Sequence, residues 1–183
     1  MDPWHSNAST NLAMVYWNLE APQHALASIL RTVAILETKL WVLRDVLGED
    51  GPPEHRNGAD SKRPELLAEK EVKELTEKLE TEARELRVDE LINAITVLHS
   101  DLVGAHHNAG YFCVQGQRMA RAVHHMERCC ELFPKYPRDS LRAIKLALVK
   151  GEIREEDDGI SALPDPGPAP VKAGEAQLPP LPW

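Results

Sequence analysis

The sequence is poor in aromatic residues and cysteine, and it contains no long apolar run. Aromatic residues make up 5% of the 183 residues, and three cysteines are present. The odd count, with Cys129 and Cys130 adjacent, argues against a framework of disulfide bonds. Charged side chains such as Arg31 and Glu37 interrupt the longest apolar stretch, so no segment reaches the roughly 18 apolar residues that cross a bilayer. Because residues 1–6 also lack the pattern of a signal peptide, we expect a soluble, cytoplasmic protein.

The chain also lacks a surplus of positive charge and the short motifs of common enzymes. It has 21 Lys and Arg against 29 Asp and Glu, a formal net charge of −8. A protein that binds along a nucleic acid needs excess cations to neutralise phosphates. The sequence contains no Gly-rich phosphate loop and no G-x-S-x-G motif. We therefore predict a non-catalytic protein that uses no cofactor and binds neither nucleic acid nor membrane.

Apolar residues recur at helical spacing through most of the chain, and they nowhere alternate as in a β-strand. The predicted fold is all-α. A break is expected at Pro22, because proline is accepted in the first turn of a helix and disrupts its interior. Further breaks are expected at Gly48, at Gly116 and between Pro134 and Pro137. The predicted parts are an N-terminal segment 1–9, a helical domain 10–151, and an acidic and then Pro-rich disordered tail 152–183.

The middle of the helical domain has an unusual composition. Residues 48–64 lack helical and strand periodicity, which predicts a flexible loop. Residues 65–90 carry ten acidic and five basic side chains around a narrow apolar stripe, which predicts one long charged helix. The stripe covers about two and a half heptads, so a solvated helix resting one edge on a neighbour is favoured over an intermolecular coiled coil.

Two segments of the chain share one pattern of residues. Residues 11–13 (Asn-Leu-Ala) are followed by Tyr16 and, nine residues later, by Ala25. Residues 108–110 (Asn-Ala-Gly) are followed by Cys113 and, again nine residues later, by an alanine. The pattern resembles the tetratricopeptide repeat, a helix-turn-helix unit of about 34 residues in which small residues let two helices approach closely.

The resemblance implies copies at about residues 6–39 and 103–136, with a third unit beginning after Pro137. His106 and Cys113 replace the tryptophan and tyrosine of the family pattern, and Glu37 stands where the first copy would have proline. The implied fold is an irregular helical-repeat array, and the implied function is an adaptor or scaffold that binds a peptide or helix of a partner protein. The residues implied in repeat packing are Leu12, Ala13, Tyr16, Ala25, Ala109, Gly110, Cys113, Ala122, Met126, Cys129 and Pro134.

Positive charge is concentrated near the end of the helical domain. Residues 118–150 hold eight Lys or Arg against three Asp or Glu, which indicates either a solvated face or a site for an anionic peptide. Tetratricopeptide proteins that resemble carboxylate-clamp cochaperones hold a ligand's terminal carboxylate with an asparagine and two basic residues of the next repeat. Asn108, Arg138 and Arg142 match this clamp, and Asn11 occupies the same place as Asn108 in the first copy. With Lys145, these are the predicted partner-binding residues. The acidic run 152–158 is a candidate to fold back on these cations.

Two further features suggest specific chemistry. His106, His125 and Cys129 are candidate soft ligands for zinc or copper, but packing inside the repeat already explains His106 and Cys129 and is the favoured interpretation. Residues Pro179–Pro182 form a proline-rich segment of the kind that WW or SH3 domains bind. The main prediction is thus a protein-interaction module. The alternatives are a structural subunit stabilised by a permanent partner and, more remotely, a His/Cys metal-binding helical protein.

Overall fold

A computed structural model of the chain describes residues 6–48 and 67–150. Over these residues the fold is all-α, as predicted, with no β-strand. None of the described helices is long and apolar enough to cross a membrane. The predicted disordered tail 152–183, with Pro179–Pro182, and nearly all of the predicted loop 48–64 lie outside the described residues. The helices are α1 (Ser6–Asn18), α2 (Pro22–Leu47), α3 (Glu69–Arg84), α4 (Val88–Gln115), α5 (Met119–Leu132) and α6 (Asp139–Val149).

The long helices α2 and α4 pack against each other and form the centre of the fold. Helix α1 packs on α2, α5 packs on α4, and α6 packs on α5, while α3 forms a separate contact with α2. The core between α2 and α4 contains the fully buried Ile29, Leu30, Leu36 and Leu102. Trp17 at the end of α1 stacks on Phe112 of α4 with a ring separation of 4.8 Å. Helix α1 therefore contacts both central helices.

The predicted helix breaks agree with the structure. Pro22 occupies the first turn of α2, where a missing backbone N–H costs nothing. Gly48 ends α2 in the left-handed conformation, with φ of 79°, which glycine adopts without a steric penalty. Phe133 and Pro134 follow α5 directly, and the next helix begins at Asp139.

The turns α1–α2 and α4–α5 have the same backbone conformation. Glu20 and Gln117, which lie 97 positions apart, have left-handed φ values of 57° and 59°. In the first turn, the N–H of Ala21 donates to the carbonyl of Tyr16 at 2.9 Å. In the second, the N–H of Arg118 donates to the carbonyl of Cys113 at 2.8 Å. Each turn is a Schellman motif, which satisfies carbonyls at the end of one helix and redirects the chain into the next.

Two helices have limits that differ from the sequence prediction. Helix α1 begins at Ser6, inside the segment that we assigned to the N-terminus. The charged helix spans Glu69–Arg84 instead of residues 65–90, and α4 begins at Val88. The cause of the second break is local, because the backbone N–H of Arg87 donates to the carboxylate of Glu90 at 2.9 Å. This contact caps the start of a new helix within a run of good helix formers.

Helix α3 rests on α2 through a narrow apolar edge. Leu75 is buried together with Ile35 of α2 and Leu67. Arg31 of α2 donates two hydrogen bonds to the carboxylate of Glu71, the shorter at 2.6 Å. Arg31 is therefore the main cause of the lowered pKa of Glu71. The arrangement matches the predicted solvated helix that leans on its neighbour.

The central helices run well beyond the limits of the two predicted copies. Helix α2 continues past Lys39 to Leu47, and α4 begins at Val88, before the expected start of the second copy at Val103. The reason in the first copy is the presence of Glu37 at the position where the family pattern has proline. Glutamate favours a helix interior, so nothing stops α2 until Gly48.

Most of the predicted packing residues are buried, but two are not. The buried ones are Ala13, Tyr16, Ala25, Ala109, Gly110, Cys113, Ala122, Met126 and Cys129. The prediction was wrong for Leu12, which is 38% exposed, because Ala13 and Tyr16 occupy the inner face of α1 and Leu12 lies about 100° from Ala13 around the helix. It was also wrong for Pro134, which is exposed because it lies beyond the end of α5 and ends the helix without entering the core.

Candidate interaction surfaces

Helix α1 has two apolar faces, and the described chain covers only one of them. Ala13 and Tyr16 are buried against the rest of the fold. Leu12, Val15 and Leu19 project from another side and are between 38% and 51% exposed. At 3.6 residues per turn these three side chains fall within an arc of about 60°, so they form one continuous stripe. We call Leu12, Val15 and Leu19 the α1 stripe.

The α1 stripe is uncharged along its whole length. No Asp, Glu, Lys or Arg occurs between Ser6 and Leu19, although charged residues make up 27% of the chain. Asn11 is exposed next to Leu12, so the predicted partner-binding asparagine borders the stripe. A stripe of large apolar side chains without neighbouring charges is typical of a surface that another apolar surface covers.

The predicted clamp residues lie on three different helices or their ends. Asn108 is partly exposed on α4, Arg138 precedes α6, and Arg142 is exposed on α6. Lys145 differs from the two arginines, because its ammonium group binds the carboxylate of Glu127 on α5 at 2.5 Å. Lys145 therefore joins α6 to α5 in this structure, while Arg138 and Arg142 face outward.

His106 of α4 and His125 of α5 form a buried pair. Their side chains are 1% and 4% exposed, and the two Nδ1 atoms are 3.0 Å apart. One Nδ1 must donate and the other accept, because two lone pairs or two N–H groups would repel at this distance. The carboxylate of Glu37 lies 3.5 Å from Nε2 of His106, and among the described residues this nitrogen has no hydrogen-bond partner.

The histidines and cysteines that recur along α4 bind different partners. His99 Nε2 accepts a hydrogen bond from Arg44 of α2 at 2.6 Å, because a guanidinium group can only donate. His106 meets His125 on the other side, and Cys113 is buried in the core. Residues seven positions apart are about 10 Å apart along a helix axis, so these groups do not converge.

The other predicted metal ligands do not come together either. The Sγ of Cys129 donates to the carbonyl of Val103 at 3.5 Å. Within residues 6–48 and 67–150, no three His, Cys, Asp or Glu side chains are arranged to hold a metal ion. The cluster of histidine and cysteine in the sequence thus reflects separate contacts of α4 and α5.

The thiol of Cys129 has the wrong electrostatics for a nucleophile. Burial raises its pKa to about 11, and the same cause raises the pKa of the neighbouring Tyr136 to about 12. Tyr136 also forms a hydrogen bond with His107 of α4. The thiol of Cys129 therefore stays protonated at neutral pH. The contacts of Cys129, Tyr136 and His107 hold the end of α5 against α4.

Sequence reasoning missed the α1 stripe, although its signal was present. Ala8, Leu12, Val15 and Leu19 recur at helical spacing, and so do Ala13 and Tyr16. Our prediction assigned Leu12 to the core together with Ala13. The second apolar face could have been recognised from two features of this helix. It has no charged residue, and it carries two series of apolar residues, each at helical spacing and shifted by one position from the other.

Comparison with known proteins adds no relative to these observations. A search of protein-family models, of curated proteins and of solved structures found no match to this chain.

Proposed function

We propose that this protein is a non-catalytic protein–protein interaction module, and that the α1 stripe binds an apolar face of a helix or peptide of a partner protein. The observation that carries the proposal is the exposure of Leu12, Val15 and Leu19 on one side of an uncharged helix. Exposed apolar side chains are common singly, but a contiguous stripe marks an interaction surface.

The α1 stripe can supply a substantial part of the free energy of binding to a partner. Complete burial of one large aliphatic side chain contributes about 1.5 to 3 kcal/mol, and each of the three is already about half buried. A partner that covers all three would therefore gain roughly 3 kcal/mol from them, or about a 100-fold change in Kd. The fitting partner is an amphipathic helix that places apolar side chains one turn apart, as in helix-in-groove recognition.

We further propose that the hairpins α1–α2 and α4–α5 are two degenerate units related to the tetratricopeptide repeat. The matching Schellman turns at Glu20 and Gln117 support this, as does the shared pattern of small residues at Ala25 and Ala122. In an array of such units, a terminal helix offers its outer face to another molecule, which agrees with the position of α1 at the edge of the fold.

The experiment compares the full chain with the variant Leu12→Gln/Val15→Gln/Leu19→Gln as bait in quantitative affinity purification. Glutamine is a good helix former, and the replaced side chains are exposed, so the fold is preserved. The matched control is Met14→Gln, because Met14 is equally exposed on the opposite side of α1. Partners that bind the wild type and the control should be lost from the triple variant, and their Kd, measured with the purified partner, should rise about 100-fold. Equal recovery of all partners by the triple variant would contradict the proposal.

The second candidate function is a structural subunit of a larger complex, and a feature of α6 favours it. Leu141 is the one buried residue of this helix, so α6 is held by few contacts in the isolated chain. A permanent partner would supply the missing contacts and would make the stability of the chain depend on that partner. Analytical ultracentrifugation and thermal unfolding separate the two candidates. A monomer that unfolds cooperatively alone supports the adaptor, whereas a chain that aggregates until a partner is co-expressed supports the subunit.

A further inference from the structure

The outer face of α6 combines two cations with two exposed apolar side chains. Arg142, Leu146 and Val149 follow one another at intervals of four and three residues and therefore share one side of the helix. Leu146 is 54% exposed and Val149 is 86% exposed. Leu141 lies about 100° around the helix from Arg142, is buried and packs toward α5. We call Arg138, Arg142, Leu146 and Val149 the α6 face.

The two arginines of the α6 face have no anionic partner in the described part of the chain. Neither guanidinium group forms an ion pair or hydrogen bond there. The two carboxylates of the neighbouring α5 are already occupied, Glu127 by Lys145 and Glu131 by Arg128. The face thus presents fixed positive charge beside apolar surface, which fits a ligand that is both acidic and partly aliphatic.

A segment with this composition follows α6 directly in the chain. Residues 152–158 have the sequence Glu-Ile-Arg-Glu-Glu-Asp-Asp, with five carboxylates and one isoleucine. An extended chain advances about 3.3 Å per residue, so Glu155 and Glu156 lie within about 13 to 17 Å of Gly151. A helix advances about 1.5 Å per residue, which places Arg142 about 12 Å back from the end of α6.

The same arithmetic applies to the second arginine. Arg138 lies about 18 Å from the end of α6, and Asp158 lies within about 23 Å of Gly151 along an extended chain. A chain that reverses at Gly151 therefore brings its carboxylates to both arginines without a connecting loop. In that arrangement Ile153 passes over Val149 and Leu146.

We propose that the acidic segment 152–158 binds the α6 face of its own chain. Alternate side chains of an extended chain share one face, so Glu155 pairs with Arg142, Asp157 pairs with Arg138, and Ile153 covers Val149. The segment then acts as an intramolecular competitor of any external anionic peptide that the two arginines would bind. This contact is separate from the α1 stripe, so its test is independent of the proposed function.

The first test uses the full chain and the full-length variant Glu155→Gln/Glu156→Gln/Asp157→Asn/Asp158→Asn. Amide chemical shifts of residues 138–149 are compared in the two proteins by two-dimensional NMR at low salt. The matched control is Asp165→Asn/Glu175→Gln, which removes two carboxylates of the same C-terminal part of the chain outside the segment. Shifts of about 0.1 ppm along α6 in the first variant, with none in the control, are expected. They should vanish at 1 M NaCl, where the screening length is about 3 Å.

The second test measures competition. A blocked peptide with the sequence of residues 151–160 should bind the neutralised full-length variant at least 10-fold more tightly than it binds the wild type, whose face is occupied. Unchanged α6 shifts in the first test would overturn the proposal. Equal affinity of the peptide for the two proteins, or no binding to either, would overturn it as well.

Discussion

Substitutions at two glycines of α4 test the close packing of α4 against α5. A Cβ atom added at Gly110 would lie 3.3 Å from Cγ of Met126 and 3.7 Å from both the carbonyl oxygen of Ala122 and Cβ of His125. A Cβ atom added at Gly104 would meet no atom within 4 Å. Both glycines lie inside the same helix, so they share the cost that glycine imposes on helix formation. The difference between them isolates the contact with α5.

The expected magnitudes follow from these distances. Gly104→Ala gains about 0.5 to 1 kcal/mol of stability, because alanine loses less backbone entropy than glycine when the helix forms. Gly110→Ala gains the same free energy from the helix backbone. It loses a similar amount because Met126 must move by a few tenths of an ångström, so the net change in stability is close to zero. Gly110→Val places two further methyl groups against α5 and is expected to cost about 2 to 3 kcal/mol. Gly104→Val, which points into open space, is nearly neutral.

Urea unfolding followed by circular dichroism measures these differences. The two valine variants carry the same substitution at different positions of one helix. The effect of valine on the unfolded chain is therefore common to Gly104→Val and Gly110→Val and cancels when their stabilities are compared. We expect the latter to be less stable by at least about 2 kcal/mol, or roughly 4 to 8 °C in Tm for a domain of this size. If the two valine variants had the same free energy of unfolding, the close approach of α4 and α5 at Gly110 would be refuted.

Three further predictions follow from the buried and charged contacts. His125→Leu leaves His106 without its partner and should cost about 3 kcal/mol, while the double variant His106→Leu/His125→Leu should cost clearly less than the sum of the single ones in urea unfolding. Glu71→Gln should cost about 1 kcal/mol, because the ion pair with Arg31 is partly exposed. The pKa of Glu71 in the folded protein is below its ordinary value of 4.5. The contribution of Glu71 to the free energy of unfolding is therefore complete above pH 4.5 and is lost as the pH falls through the folded pKa. A series of unfolding curves at different pH values checks this. Cys129, with its pKa raised from 9.0 to about 11, should be alkylated at pH 8 about 100-fold more slowly in the folded than in the unfolded chain, as mass spectrometry of the modified peptide would measure.

Helix breaks were predictable where a single residue determines the local backbone. Pro22, Gly48 and Pro134 each restrict the chain in a way that does not depend on distant contacts. The break before Val88 was missed, because its cause is a hydrogen bond from the Arg87 backbone to a glutamate among many glutamates. In a run of charged helix formers, composition does not distinguish a capping carboxylate from a solvated one.

The candidate site was less predictable than the fold. The sequence pointed to Arg138 and Arg142 as cations of the last helix, and both are exposed, although Arg138 lies just before the helix begins. It grouped Lys145 with them, yet Lys145 binds Glu127, because the α5–α6 contact brings residues eighteen positions apart together. It also placed Leu12 in the core, since helical spacing shows that a face is apolar without showing whether a neighbour covers it.

The sequence by itself determined that this chain is helical and where most of its helices end, because these properties depend on residues within a few positions. Tertiary structure alone decided which of the two apolar faces of α1 is buried, which ring nitrogen of His106 meets His125, and that Lys145 pairs with Glu127. Those outcomes depend on how distant helices are placed in space. Side-chain spacing along one helix is the same whether a second helix lies against it or not.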